Sequence, residues 1–161
     1  MFNILRVAEE NHSFLHHYIR YIFGYRIKQF INISSSYITK DNIYKLAQRI
    51  ELAAKIIYVN QNLIVVKEGN KLLTTNGVAI IIYTNIRELN DVFKHPDLSS
   101  LIDFAEPVGV LIIYITYFLT DIELTHIILS IRSTICDGSY VTLIHNTLDS
   151  HLIENENIAD I

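Results

Sequence analysis

The stretch "AKIIYVNQNL", residues 54–63, decides how the chain is read. Its first half is a run of Ile, Tyr and Val, the β-branched and aromatic side chains that suit a strand buried on both faces. Its second half is a cluster of side-chain amides, Asn60, Gln61 and Asn62, standing where that strand would end. In an open parallel sheet, functional groups gather beyond the carboxyl ends of the strands. The amides therefore mark a candidate site, and their lack of charge is the feature that needs explaining.

Outward from this stretch the hydrophobic period switches repeatedly. "RIKQFINIS" (26–34) is another candidate strand, and "KDNIYKLAQRIELA" (40–53) carries helical spacing through Ile43, Leu46, Ala47 and Ile50. Nearer the amino terminus, "NILRVA" (3–8) reads as a short strand ahead of an amphipathic helix with Phe14, Leu15, Tyr18, Ile19, Ile22 and Phe23 on one face. Downstream, a polar loop with Gly69 and the segment "NKLLTTNG" lead to "VAIIIYT" (78–84), a fourth strand. Asn85 and Glu88 then open a helix containing Leu89, Val92 and Phe93, which Pro96 interrupts.

"VGVLIIYI" (108–115) is the fifth strand. Thr120 and Glu123 have capping-box spacing ahead of a helix with Leu124, Ile127, Ile128, Ile131 and Ile135 on its apolar face. Apolar strands alternating with helices predict an α/β fold with a doubly wound, five-stranded parallel sheet in the order 2-1-3-4-5, flavodoxin-like in topology. Residues 1–145 are expected to form one domain, with 146–161 a tail or the start of a linker.

Composition limits the functions. Half of the 161 residues are apolar, 19% are charged and the formal net charge is −4, with the basic residues scattered. That excludes a broad phosphate-binding face, so this chain alone is not expected to bind DNA. The single cysteine, Cys136, excludes an internal disulfide framework and a thiolate metal cage; a buried, inert thiol in a reducing cytoplasm is expected. "VGVLIIYITYFL" (108–119) is shorter than the roughly 20 residues a bilayer span needs, and the amino terminus lacks the pattern of a secretory signal.

His12 and His16, at i and i+4 with His17 beside them, have no acidic or cysteine partner at a diagnostic spacing, so no metal site is expected. His126 and His145 read as ordinary side chains. Tyr18, Tyr21 and Tyr25 cluster around the first helix, and Ser34 to Ser36 read as a loop or helix start without the order of a hydrolase triad. Neither common glycine-rich phosphate loop occurs.

Three strand ends would share one site: Glu9 and Glu10 after the first, Asn60 after the third and Thr84 after the fourth. With "RVAEENHSFL", "VAIIIYT" and "TDIELTHIILSIRSTICDGSYV", this constellation resembles the receiver domains of response regulators, particularly those of LuxR/NarL-type transcription factors. The resemblance implies that Glu9 and Glu10 stand at the acidic pair, Asn60 at the phosphoacceptor and Thr84 at the hydroxyl switch position. Asn60 is an amide where phosphoryl transfer needs a carboxylate nucleophile. Ile113 or Tyr114 stands where the family has a lysine.

The resemblance therefore implies a degenerate receiver: no enzyme, no cofactor, and a phosphorylation-independent part in transcription regulation through protein contacts. A homodimer is expected through residues 114 to 135, with Tyr114, Tyr117, Leu124, Ile128 and Ile131 at the interface. A partner regulator protein, DNA binding only through a C-terminal module outside this chain, and no membrane contact complete the expectation. The alternative reading is a small α/β enzyme or ligand-binding protein using Glu9, Glu10, Asn60 and Thr84 in the cleft at the strand ends.

Overall fold

The computed structural model describes residues 4–35, 38, 42–73 and 78–145; for residues 4–12, 89, 91 and 117 it describes the backbone alone. The opening stretch is a strand, Lys55–Asn60, designated β2 below. It lies in a five-stranded sheet in which every neighbouring pair is parallel. The elements in chain order are α1 (Ile4–Gly24), β1 (Gln29–Ser34), α2 (Ile43–Ile50), β2, α3 (Leu63–Leu72), β3 (Ala79–Tyr83), α4 (Leu89–Phe93), α5 (Pro96–Leu101), β4 (Val108–Ile113), α6 (Asp121–Thr134) and β5 (Tyr140–Ile144). Short 3-10 turns, Ile86–Glu88 and Thr116–Phe118, follow β3 and β4.

Period-two alternation divides the core into two layers. Phe30, Ile56, Tyr58, Ile81, Leu111 and Ile113 face one side of the sheet and pack with Ile19 and Ile22 of α1 and with Ile43, Leu46 and Ala47 of α2. Ile31, Ile33, Ile57, Val59, Val110 and Ile112 face the other side and pack with Val92 of α4, Leu98 of α5, and Ile127 and Ile131 of α6. This double coverage explains why β1 and β4 read as unbroken apolar runs and are buried along their whole length.

The sheet order is β3-β2-β1-β4-β5. The parallel five-stranded sheet stands, but the expected order 2-1-3-4-5 and the flavodoxin-like topology are corrected. Two local differences account for this. The expected first strand, 3–8, is not found: Ile4 to Ala8 belong to α1, and Asn3 lies outside the described residues. No glycine or proline breaks the chain between residue 4 and Gly24, and Glu9 and Glu10 favour helix, so the helical period beginning at Phe14 extends back through the short apolar run. The true fifth strand, β5, has only half-buried and exposed residues, which left its pattern weak.

The polar loop around Gly69 is instead the helix α3, capped by Asn62, whose side chain accepts hydrogen bonds from the backbone N–H groups of Ile64 and Val65. Pro96 opens α5 at its first turn rather than merely ending the helix before it. The capping box at Thr120 and Glu123 is formed as expected. Cys136 lies just beyond α6 and is half-buried, with its Sγ 3.9 Å from the Ser139 hydroxyl.

Two glycines have steric reasons. Gly138 has φ +87° in the turn before β5. A Cβ on Gly109 would lie 2.9 Å from Phe30 Cδ1, so only glycine lets the Phe30 ring and Ile22 of α1 close on β4.

Candidate functional site

From β1 the chain runs outward through β2 to β3, whereas β4 and β5 lie on the opposite side of β1. The direction of winding reverses between β1 and β4, and a cleft opens outside the carboxyl ends at such a switch point. Ser35, the residue after β1, donates a hydrogen bond of 3.2 Å to the carbonyl of Tyr114, the residue after β4. Tyr114 has φ +56°, a left-handed conformation that costs a non-glycine residue about 1–2 kcal/mol. Its N–H donates to Ile144 O, which ties the end of β4 to the end of β5.

Beside this junction lies an open cleft of about 710 Å³, lined by Ser35, Asn60, Gln61, Asn62, Leu63, Tyr83, Asn85, Arg87 and Phe118. The size falls within the range of roughly 300–1,000 Å³ usual for small-molecule sites. β2 delivers the amides, each in a different state. Asn60 is 2% exposed, and its Oδ1 accepts from the Asn62 N–H at 2.8 Å. Asn62 Oδ1 is committed to the first turn of α3. Gln61 is half-buried, and its side chain makes no hydrogen bond among the described residues.

The opposite wall is built by the segments after β3 and β4. Arg87 Nε donates to Glu123 Oε1 at 2.7 Å, and Arg87 Nη2 donates to the Phe118 carbonyl, which fastens the β3 segment to the start of α6. Glu123 is held below the usual carboxylate range, first by the Thr120 N–H and then by Arg87. Tyr83 and Phe118 present exposed rings to the cleft.

The residues expected from the sequence are distributed unevenly. Asn60 and Thr84 are brought together: the Thr84 N–H donates to Asn60 O at 3.1 Å. Glu9 and Glu10 are corrected from a strand end to the interior of α1, and their side chains, like those of His12 and Tyr117, lie outside the described residues. Tyr114, Leu124 and Ile128 are half-buried, whereas Ile131 is fully buried in the core beneath α6. The segment 146–161 lies outside the described residues.

Sequence reasoning marked Gln61 among the amides that end the strand and passed over Ser35, Asn85 and Arg87 as site residues. The rule that sites gather beyond strand ends could have found them, since Ser35 follows β1 and the other two follow β3. Phe118, five residues beyond β4, had no such signal. Among the described residues, no group of three or more His, Cys, Asp or Glu could hold a metal ion, and no helix is long and apolar enough to cross a membrane.

The order 3-2-1-4-5, with a polar and aromatic cleft at the switch point, defines a Rossmann-like, doubly wound domain. The family model described as S-adenosyl methyltransferase matches residues 1–161, and the chain belongs to that family.

Solved structures agree in fold. A candidate methyltransferase of Thermobifida fusca YX superposes with a TM-score of 0.79 at 24% identity, covering 84% of this chain and 52% of its own. A DUF574-family protein of Streptomyces avermitilis gives 0.82 at 20% identity, covering 92% and 58%. The plantazolicin methyltransferase BpumL, in complex with a pentazolic desmethylPZN analog and SAH, gives 0.59 at 11% identity, covering 93% and 51%. The chain thus spans little more than half the length of these proteins. No curated protein matches it.

The family match overturns the resemblance to response-regulator receivers, and with it the expectations of a LuxR-type transcription regulator, a two-component pathway and a non-enzymatic role. The two folds share alternating strands and helices and a site at the strand ends, so spacing alone matched both. The alternative reading, a small α/β enzyme using the carboxyl-end cleft, is the one the family favours.

Proposed function

We propose that this chain provides the cofactor cleft of an S-adenosyl methyltransferase, at the carboxyl ends of β1, β2 and β3. The carrying observation is the position and lining of the cleft: uncharged hydrogen-bonding groups, one arginine paired with Glu123, and two aromatic rings at the switch point of a chain matched along its whole length by the family. These residues fit the nucleoside part of the cofactor. Tyr83 and Phe118 offer faces on which a purine can stack. The Gln61 carboxamide has a donor and an acceptor to spare for ribose hydroxyls, and Leu63 supplies an apolar contact.

S-adenosylmethionine, when bound, supplies a methyl group on a sulfonium that a nucleophile can take, leaving the thioether. The protein's part is to bind and orient. Asn60 fixes the turn through the Asn62 N–H, and Asn62 fixes the start of α3, so Gln61 is displayed from a backbone held on both sides. The Arg87 link to Glu123 and Phe118 holds the opposite wall.

Calorimetric titration with S-adenosylhomocysteine tests the proposal. A saturable one-site isotherm with a dissociation constant below about 1 mM is expected. The absence of both heat and thermal stabilisation at about that ligand concentration would refute it.

A further inference from the structure

We infer that a separate small-molecule site lies in the groove between α4 and α6, behind Arg87, and that it takes a carboxylate carried on a short aliphatic body. An open cavity of about 290 Å³ is lined there by Arg87, Asn90, His126, Ile127, Leu129 and Ser130. Arg87 also lines the cleft described above, so one guanidinium stands between the two cavities. At about 30 Å³ for each water-sized group, the groove has room for about ten non-hydrogen atoms.

Polar groups converge here because three elements meet. The turn Ile86–Glu88 supplies Arg87, α4 supplies Asn90, and α6 supplies His126 and Ser130, four residues apart and so on one face of the helix. A guanidinium has five N–H donors. Nε donates to Glu123 and Nη2 to the Phe118 carbonyl, so two of the five are engaged and three are left, including both on Nη1. The side chains of Asn90, His126 and Ser130 make no hydrogen bond among the described residues, and each can donate.

A carboxylate only accepts, and its planar pair of oxygens matches the guanidinium edge. Glu123 holds Arg87 through Nε, so a second carboxylate can approach the Nη side without displacing it. Ile127, buried, and Leu129, exposed, add apolar contacts that an aliphatic body uses and inorganic phosphate does not. A ligand on the Nη side would also fix the guanidinium that carries the Phe118 carbonyl at the wall of the cleft. Occupancy of either cavity then raises affinity at the other by the same factor. This link, unlike the site itself, rests on the cofactor reading above.

The test is titration of ¹⁵N-labelled protein with isovalerate, followed by backbone amide shifts at constant ionic strength. Isovaleramide serves as the uncharged counterpart and inorganic phosphate as the rival oxyanion. Isovalerate is expected to saturate at millimolar concentration, with the largest shifts in residues 86–90 and 126–130, and to bind at least about tenfold more tightly than either control. His126→Ala and Ser130→Ala, outside the lining of the cofactor cleft, are each expected to weaken it by about threefold or more with little change in melting temperature. Absence of saturation, equal binding of isovaleramide, tighter binding of phosphate, or affinity unmoved in both variants overturns the inference. With isovalerate bound, S-adenosylhomocysteine is expected to bind about fivefold more tightly. An unchanged affinity overturns the link through Arg87, whereas failure of S-adenosylhomocysteine to bind at all overturns the cofactor reading and leaves the carboxylate site standing.

Discussion

Replacing Gly109 with alanine should destabilise the protein, against the ordinary sign for such a change. Where space allows, Gly→Ala stabilises by about 0.4–1 kcal/mol because it restricts the unfolded chain. Here the new Cβ would stand 2.9 Å from Phe30 Cδ1, 3.0 Å from Phe30 Cε1 and 3.6 Å from Ile22 Cδ1. Carbon atoms in contact prefer about 3.5–4.0 Å, so the ring must retreat by roughly 0.5–1 Å. Phe30 is fully buried, and its retreat is hindered by Phe23, whose ring centroid lies 5.4 Å away.

Overpacking of this kind costs about 1–3 kcal/mol, which leaves a net loss of about 1–2 kcal/mol after the unfolded-state gain. At about 2–4 °C per kcal/mol for a chain of this size, the melting temperature should fall by about 2–8 °C. Urea denaturation followed by circular dichroism measures the effect. The same substitution in a Phe30→Leu background should cost less, because the ring edge is gone and the two sites are coupled. A Gly109→Ala protein as stable as wild type or more so would refute the close packing of α1 on β4.

Tyr58→Phe should cost about 1–3 kcal/mol in the same assay, since it removes the hydroxyl that accepts the Tyr44 N–H at 2.9 Å in a buried setting; a change within error of zero would count against that hydrogen bond. The folded-state value of Glu123 is depressed below its ordinary 4.5, so its contribution is complete above that value and is lost as pH falls through the lowered one. Wild type should therefore exceed Glu123→Gln in urea midpoint at neutral pH and converge with it in acid, and a gap that persists in acid would assign the effect to packing instead.

Much of the architecture was legible in sequence because it is set locally. The β-branched runs of β1 to β4 and the Thr120 capping box depend on neighbours within a few residues, and both stand. So does the ending of β2 in amides, the feature that now carries the reading of the cleft. A short apolar run such as residues 4–8 has no decisive period of its own, and its state was settled by continuity with the helix behind it. Strand order belongs to tertiary structure, because which strand lies between β2 and β4 is fixed by pairings 26 and 79 residues apart, Gln29 with Lys55 and with Val108. The same long-range pairing brings Ser35 to Tyr114, and the Arg87 link carries Phe118 to the cleft opened by Asn60. The sequence alone determined that polar, uncharged amides end the strand at Asn60; only the folded sheet decided which distant side chains line the cleft with them, since their separation in the chain carries no periodic signal.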